Sequence, residues 1–307
     1  MAFIRRRPLI SLSTGLCALG GSWLYVRARD LERKCPSISV QQIPRGSACQ
    51  HFIETVGEPL GTTLNSSYQP RLVAAWTGTR RDRWVPYCVA IQKEVPLSIF
   101  SAYGTEENDA KSLATQLMRA FCDARAKRPE SVHLFKDDIV CSSFEPGTPL
   151  YGKANGLSTN VLGVWSMRGG SDISPPSVSL SRSYPVAEFP TNEEAIRTAS
   201  GDSAGIVTFW SFPSHVASVA DKAASYGYPW RFMLGGFHEL IVEKSSEDTA
   251  RITYVMLECY HLYPNGQAEP DFKTTPQWTQ KLHRLYAQDL LEKAVQHIDL
   301  CQRAAER

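Results

Sequence analysis

The sequence predicts an α+β fold, with an N-terminal single membrane-spanning helix followed by an antiparallel sheet packed on a long C-terminal helix. Three observations predict it. A basic-flanked apolar run opens the chain, two strand-like segments around a short polar turn lie between Phe237 and Leu262, and an apolar stripe at helical spacing closes it.

Arg5, Arg6 and Arg7 precede the apolar run Pro8 to Val26, and Arg27, Arg29, Arg33 and Lys34 follow it, with no acidic residue before Asp30. A run of about 19 residues is near the lower limit for crossing a ~30 Å hydrocarbon core as a helix. Trp23 and Tyr25 stand at its end, where amphipathic rings suit a membrane interface. Residues 1–34 are therefore expected to be a membrane anchor or targeting segment. The flanking charges nearly balance, so orientation stays open. Ala18-Leu19-Gly20 leaves cleavage open, and the Arg- and Ser-rich, acid-poor composition favours a mitochondrial membrane over the endoplasmic reticulum. The Asn65-Ser66-Ser67 sequon is usable only on a lumenal body.

Residues 35–70 read as a tether, and 71–307 as one α+β domain with a Ser/Pro-rich loop at 169–190. Apolar residues make up 43% of the chain and charged ones 21%, enough for a sizeable core. The net charge of +2 leaves no clustered positive surface on the body, which excludes nucleic acid as a partner. None of the 8 cysteines is spaced C-x-x-C, and no histidines stand as H-E-x-x-H, so no metal or cofactor is expected. The cysteines read as buried thiols, with Cys35 and Cys49 the pair close enough in sequence to watch for a bridge.

In the body, Leu72–Trp76 and Trp84–Ile91 read as strands. Asn108 opens a helix on which Leu113, Leu117, Phe121 and Ala124 share a face. Strand signals return at Val132–Ser143, Val161–Met167 and Ile206–Phe212, with a short helix expected from Thr191 to Ala199 and another from Ser214 to Tyr226. Gly227 and Pro229 stop the latter. The hairpin follows. On its second strand Ile252, Tyr254, Met256, Glu258 and Tyr260 share one face, and Val255, Leu257, Cys259 and His261 the other. Thr275-Pro276 opens the last helix, where Leu282, Tyr286, Leu290 and Ala294 form the stripe and His283 falls within it.

Gly201-Asp202-Ser203-Ala204-Gly205 matches G-x-S-x-G and resembles the same five residues of hormone-sensitive-lipase-like esterases. That resemblance would make Ser203 a nucleophile. The context is reversed, with a helix-like stretch before and a strand-like one after, and chance alone matches the pattern with a probability of about 0.1. The candidate site lies elsewhere. Glu258 among aromatic neighbours and His283 on an apolar helix face are the two polar oddities. If its face is buried, Glu258 needs a partner or a raised pKa; the sequence slightly favours a solvent-facing position. His283 is more simply a core histidine satisfied by one hydrogen bond. His238 and Glu239 are adjacent, so a strand sends them to opposite faces.

Phe237-His-Glu-Leu-Ile-Val-Glu243, Glu258-Cys-Tyr260 and the run from Trp278 to Leu291 resemble uncharacterised fungal proteins with an N-terminal membrane segment. The hairpin and closing helix also resemble a helix-grip (START-like) domain, in which a curved sheet wraps the last helix around an apolar cavity. By that analogy the protein is a membrane-anchored domain holding a hydrophobic small molecule, with Glu258, His283, Tyr254 and Tyr286 at the ligand. A serine esterase using Ser203 and a non-enzymatic assembly protein of an organelle membrane are the alternatives.

Overall fold

The structure, a computed structural model, describes residues 22, 24–44, 46–54, 84–103, 110–128, 144, 148–151, 158–167, 203–212, 214–264, 267–305 and 307. Its strands are β1 (Ser37–Ile38), β2 (Trp84–Pro96), β3 (Pro149–Tyr151), β4 (Ser158–Met167), β5 (Ser203–Ser211), β6 (Gly235–Lys244) and β7 (Thr249–His261). The helices are α1 (24–34), α2 (Ala48–Glu54), α3 (Ala110–Ala126), α4 (Ser214–Ser225) and α5 (Gln277–Ala305).

Among the described residues the strands form one 7-stranded sheet in the order β1-β2-β7-β6-β5-β4-β3. Every neighbouring pair is antiparallel. From β3 to β7 the chain meanders, and β7 returns to pair along the whole of β2, from Trp84 opposite His261 to Pro96 opposite Thr249. Pro86 fits because, among the described residues, β1 pairs β2 only at Ala90 and Ile91, leaving the Pro86 stretch with β7 as its one partner strand.

Alternation along β7 places Ile252, Tyr254 and Met256 in a core with α3 and α5, and Val255, Leu257 and Cys259 in a second core on the opposite face. Both faces are covered, so β7 is buried from Ile252 through Tyr260. On α3, Leu113, Leu117 and Phe121 are each 3% exposed or less. Full burial of such a side chain contributes roughly 1.5–3 kcal/mol. Leu290, Leu291, Ala294 and Ile298 supply the facing side of α5.

The expectation of a single-pass membrane protein is overturned. Among the described residues no helix is long and apolar enough to cross a membrane. The part of the opening segment within them, α1, docks on the body. Leu31 is buried, Arg27 bonds Asp289 at 2.6 Å, and Gln288 donates to Glu32 at 2.7 Å. Burial raises the Asp289 carboxyl, but hydrogen bonds from Arg27 and Lys293 more than offset this and hold it below its ordinary value. Charges at Arg27, Arg29, Asp30, Glu32, Arg33 and Lys34 suit a docked surface helix and would be costly in lipid. Residues 1–21, with most of the apolar run, lie outside the described residues.

The first part of the expected tether is built into the fold. Cys35 is buried beside α5, β1 pairs the sheet edge, and Ile43, Ala48 and Cys49 join the core on the opposite face. Residues 35–54 therefore wrap the β2 edge from one face to the other. Cys35 and Cys49 end up in different cores as free thiols, and Cys88, Cys259 and Cys301 are free thiols as well. The strands expected at 72–76 and 132–143, the loop at 169–190 and the helix at 191–199 fall outside the described residues.

Candidate functional site at the Glu258–His283 pair

The strand register lines up one row of side chains across the helix-covered face. Trp210 of β5 opposes Gly236 of β6, Gly236 opposes Glu258 of β7, and Glu258 opposes Tyr87 of β2. The next row is Thr208, His238, Met256 and Val89, followed by Ile206, Leu240, Tyr254 and Ile91. Polar groups thus gather at one end of this face, and the rows beyond are mostly apolar.

Glu258 is 1% exposed, which corrects the solvent-facing expectation. A buried carboxylate is costly unless it is well bonded. Here His283 Nδ1 stands 2.5 Å from Oε1, and the Tyr260 hydroxyl donates to Oε2 at 2.7 Å. Since that phenol proton goes to Glu258, the Thr275 hydroxyl donates to Tyr260 in turn, at 2.7 Å. Thr275 is therefore committed to the site at the mouth of α5. Burial and the Glu258 charge both push the phenols of Tyr260 and Tyr87 up. A carboxylate only accepts, so His283 Nδ1 donates and Nε2 is left bare in the neutral ring. The His283 side chain is 41% exposed, so the pair bridges the core and the solvent.

His238 sits one row deeper. Its Nδ1 is 3.2 Å from the Tyr254 hydroxyl, and its ring lies 5.9 Å from that of Trp210. Burial, with lesser contributions from the charges of Arg125 and His283, pushes His238 down to about 3, so the ring is neutral at physiological pH. Trp210 is 9% exposed, and its indole Nε1 is buried with no hydrogen-bond partner among the described residues. A Cβ on Gly236 would lie 3.0 Å from that nitrogen, so the indole lies over the glycine.

The rim of the site is aromatic. Trp230, Phe232, Phe272, Trp278 and Leu282 are each more than 40% exposed. Arg231, itself 3% exposed, ties this rim to the end of β7. Its guanidinium bonds Asp221 at 2.9 Å and the His261 carbonyl at 2.8 Å, and its backbone N–H bonds the Thr274 carbonyl at 3.3 Å.

Of the residues singled out by sequence, Glu258 and His283 are brought together. Tyr254 lies two rows away, 2% exposed, with its ring 5.1 Å from Phe121. Tyr286 packs at the edge of the core, with the Arg128 guanidinium 4.3 Å over its ring. Ser203 begins β5 opposite Met167 and Glu243, and strand follows it, whereas a nucleophile elbow needs a helix there. Ser203 and Trp210 sit seven positions apart on β5, about 24 Å at ~3.4 Å per residue, which separates the serine from the His283 end.

Sequence reasoning missed Trp210, Gly236 and the role of His238, because cross-strand register decides them. It also missed Glu239. On the opposite face this carboxylate is fully buried and accepts from Ser47 Oγ at 2.5 Å and from the backbone N–H groups of Ala48 and Cys49 at 2.9 Å. It holds the start of α2, where Ser47 also caps the Gln50 N–H at 3.1 Å. Burial first, and Glu239 second, push the Cys49 thiol well up, as expected of an unreactive structural cysteine.

No family model matches the chain, and no curated protein matches it. Among solved structures it is similar to protein Ms6760 from Mycobacterium smegmatis, at 11% identity over 71% of this chain and 91% of that one. The TM-score of 0.24 is too low for that likeness to carry an argument.

Proposed function

We propose that the chain is a helix-grip (START-like) domain that binds a small apolar molecule between the sheet and α5, with the ligand's neutral polar end at Trp210, Glu258 and His283. The observation that carries this reading is the row Trp210, Gly236, Glu258 and Tyr87 at one end of a mostly apolar face. Binding sites for small molecules combine an apolar lining with a few converging polar groups. The buried indole N–H of Trp210 is a donor in need of an acceptor, which a ligand carbonyl or hydroxyl would supply. The buried Glu258 carboxylate already supplies the row's negative charge, and His238 is neutral, so the row favours an uncharged oxygen over a second carboxylate. The exposed aromatic rim offers such a molecule a path from water.

Native mass spectrometry of the full chain with β-tetralone, a neutral bicyclic ketone, and with dodecanoate tests the proposal. One equivalent of the ketone should bind, with the fatty acid bound more weakly. Absence of a ketone complex at millimolar concentration refutes the reading, and preferential retention of dodecanoate refutes the neutral-end assignment.

A further inference from the structure

We infer that the Glu258–His283 pair is a general base, with His283 Nε2 taking a proton from the carbon beside a carbonyl of a bound apolar ketone while Trp210 Nε1–H holds the carbonyl oxygen. The inference rests on the ligand reading above and goes one step further, from holding the molecule to reacting with it.

Three observations support it. First, Glu258 fixes the imidazole. Its carboxylate is 1% exposed, so the Nδ1–H bond cannot swing freely, and Nε2, on the far side of the ring, has no partner among the described residues. A carboxylate in that position sets the tautomer and stabilises the imidazolium that forms when Nε2 takes up a proton. Tyr260 and Thr275 brace the carboxylate from its other oxygen. Second, the donor for a developing oxyanion is already in place. The Trp210 indole N–H is buried, unpaired and laid over Gly236, one strand spacing (about 4.8 Å) from the Glu258 strand. A preorganised, unpaired donor stabilises negative charge without reorganisation during reaction. Third, the nearest deeper histidine, His238, stays neutral, so it does not compete as a cation for the oxyanion.

The step balances without any further reagent. The C–H bond breaks, its proton passes to Nε2, and its electron pair moves into the new C=C bond while the carbonyl π pair becomes the enolate oxygen's. The imidazolium of the solvent-exposed His283 trades its proton with water and returns one to the same carbon in exchange, or returns a proton to another position in isomerisation.

The test follows β-tetralone with the full chain in D2O. Proton NMR reads loss of the C–H signal between the carbonyl and the ring, and saturation transfer reads binding in the same tube. The wild type should speed exchange about 100-fold or more over buffer with an equal concentration of imidazole. His283→Gln should bind the ketone yet exchange it at the buffer rate. Trp210→Phe should keep the base and lose at least tenfold in rate, and it serves if His283→Gln does not fold. Binding by the wild type with exchange no faster than buffer overturns this inference and leaves the binding proposal standing. Absence of binding overturns both.

Discussion

Unfolding the chain in urea at pH 7 and at pH 4.5, with and without His238→Gln, probes the buried end of the site. The folded chain holds His238 at about 3, against an ordinary value of 6.5. Between those values the unfolded chain takes up a proton that the folded chain refuses. The stabilisation is therefore complete above pH 6.5 and is lost as pH falls towards 3. At pH 4.5 the loss spans two pH units, about 3 kcal/mol at ~1.4 kcal/mol per unit. With a urea slope near 3 kcal/mol/M, the wild-type midpoint should drop by about 1 M from this residue alone. Gln keeps an acceptor for the Tyr254 hydroxyl and cannot titrate. The variant should start less stable at pH 7 and lose about 3 kcal/mol less than the wild type on acidification. Asp289 is common to both proteins and cancels in the difference. Equal losses in the two proteins would mean that His238 protonates as readily folded as unfolded, and would remove the argument for a neutral site.

Three further outcomes follow from the packing. Glu239→Ala strips the carboxylate from Ser47, Ala48 and Cys49 and should cost about 2–4 kcal/mol in urea unfolding, with earlier proteolysis within 35–54; a loss under 0.5 kcal/mol would refute that role. Gly236→Ala has no room, since its Cβ would fall 1.7 Å from the Leu257 carbonyl oxygen, so it should cut stability by about 1–3 kcal/mol and weaken ketone binding by displacing the indole. Leu117→Ala opens the α3 core at a fully buried position and should cost about 2–5 kcal/mol without changing the site's chemistry.

Much of the scaffold was legible in the sequence because it rests on periodicity. Leu113, Leu117 and Phe121 at helical spacing gave α3, and strict alternation from Ile252 to Tyr260 gave the two faces of β7. The same patterns marked Glu258 and His283 as polar residues in apolar company. That they meet depends on how α5 crosses the sheet, which no local pattern encodes. Trp210 and Gly236 were illegible for a related reason, since their place beside Glu258 is a matter of register across three strands. Glu239 was readable only as the residue facing away from His238. Its partners lie about 190 positions earlier, in a stretch whose Pro, Gly and Ser content reads as a tether. The charges that follow the opening run read as a membrane flank, whereas in α1 they form ion pairs and hydrogen bonds with α5.

The central claim is that the Trp210 indole N–H is held open for the oxygen of a neutral apolar ligand. It is tested most directly by nitrogen-15 NMR of the indole signals during titration with β-tetralone. The chain has 7 tryptophans, and the signal missing from Trp210→Phe identifies the one in the row. The account predicts a saturable downfield shift of that signal, weakened at least tenfold in concentration dependence by Glu258→Leu. A Trp210 signal that stays in place while the ketone binds elsewhere, or while none binds at all, would contradict it.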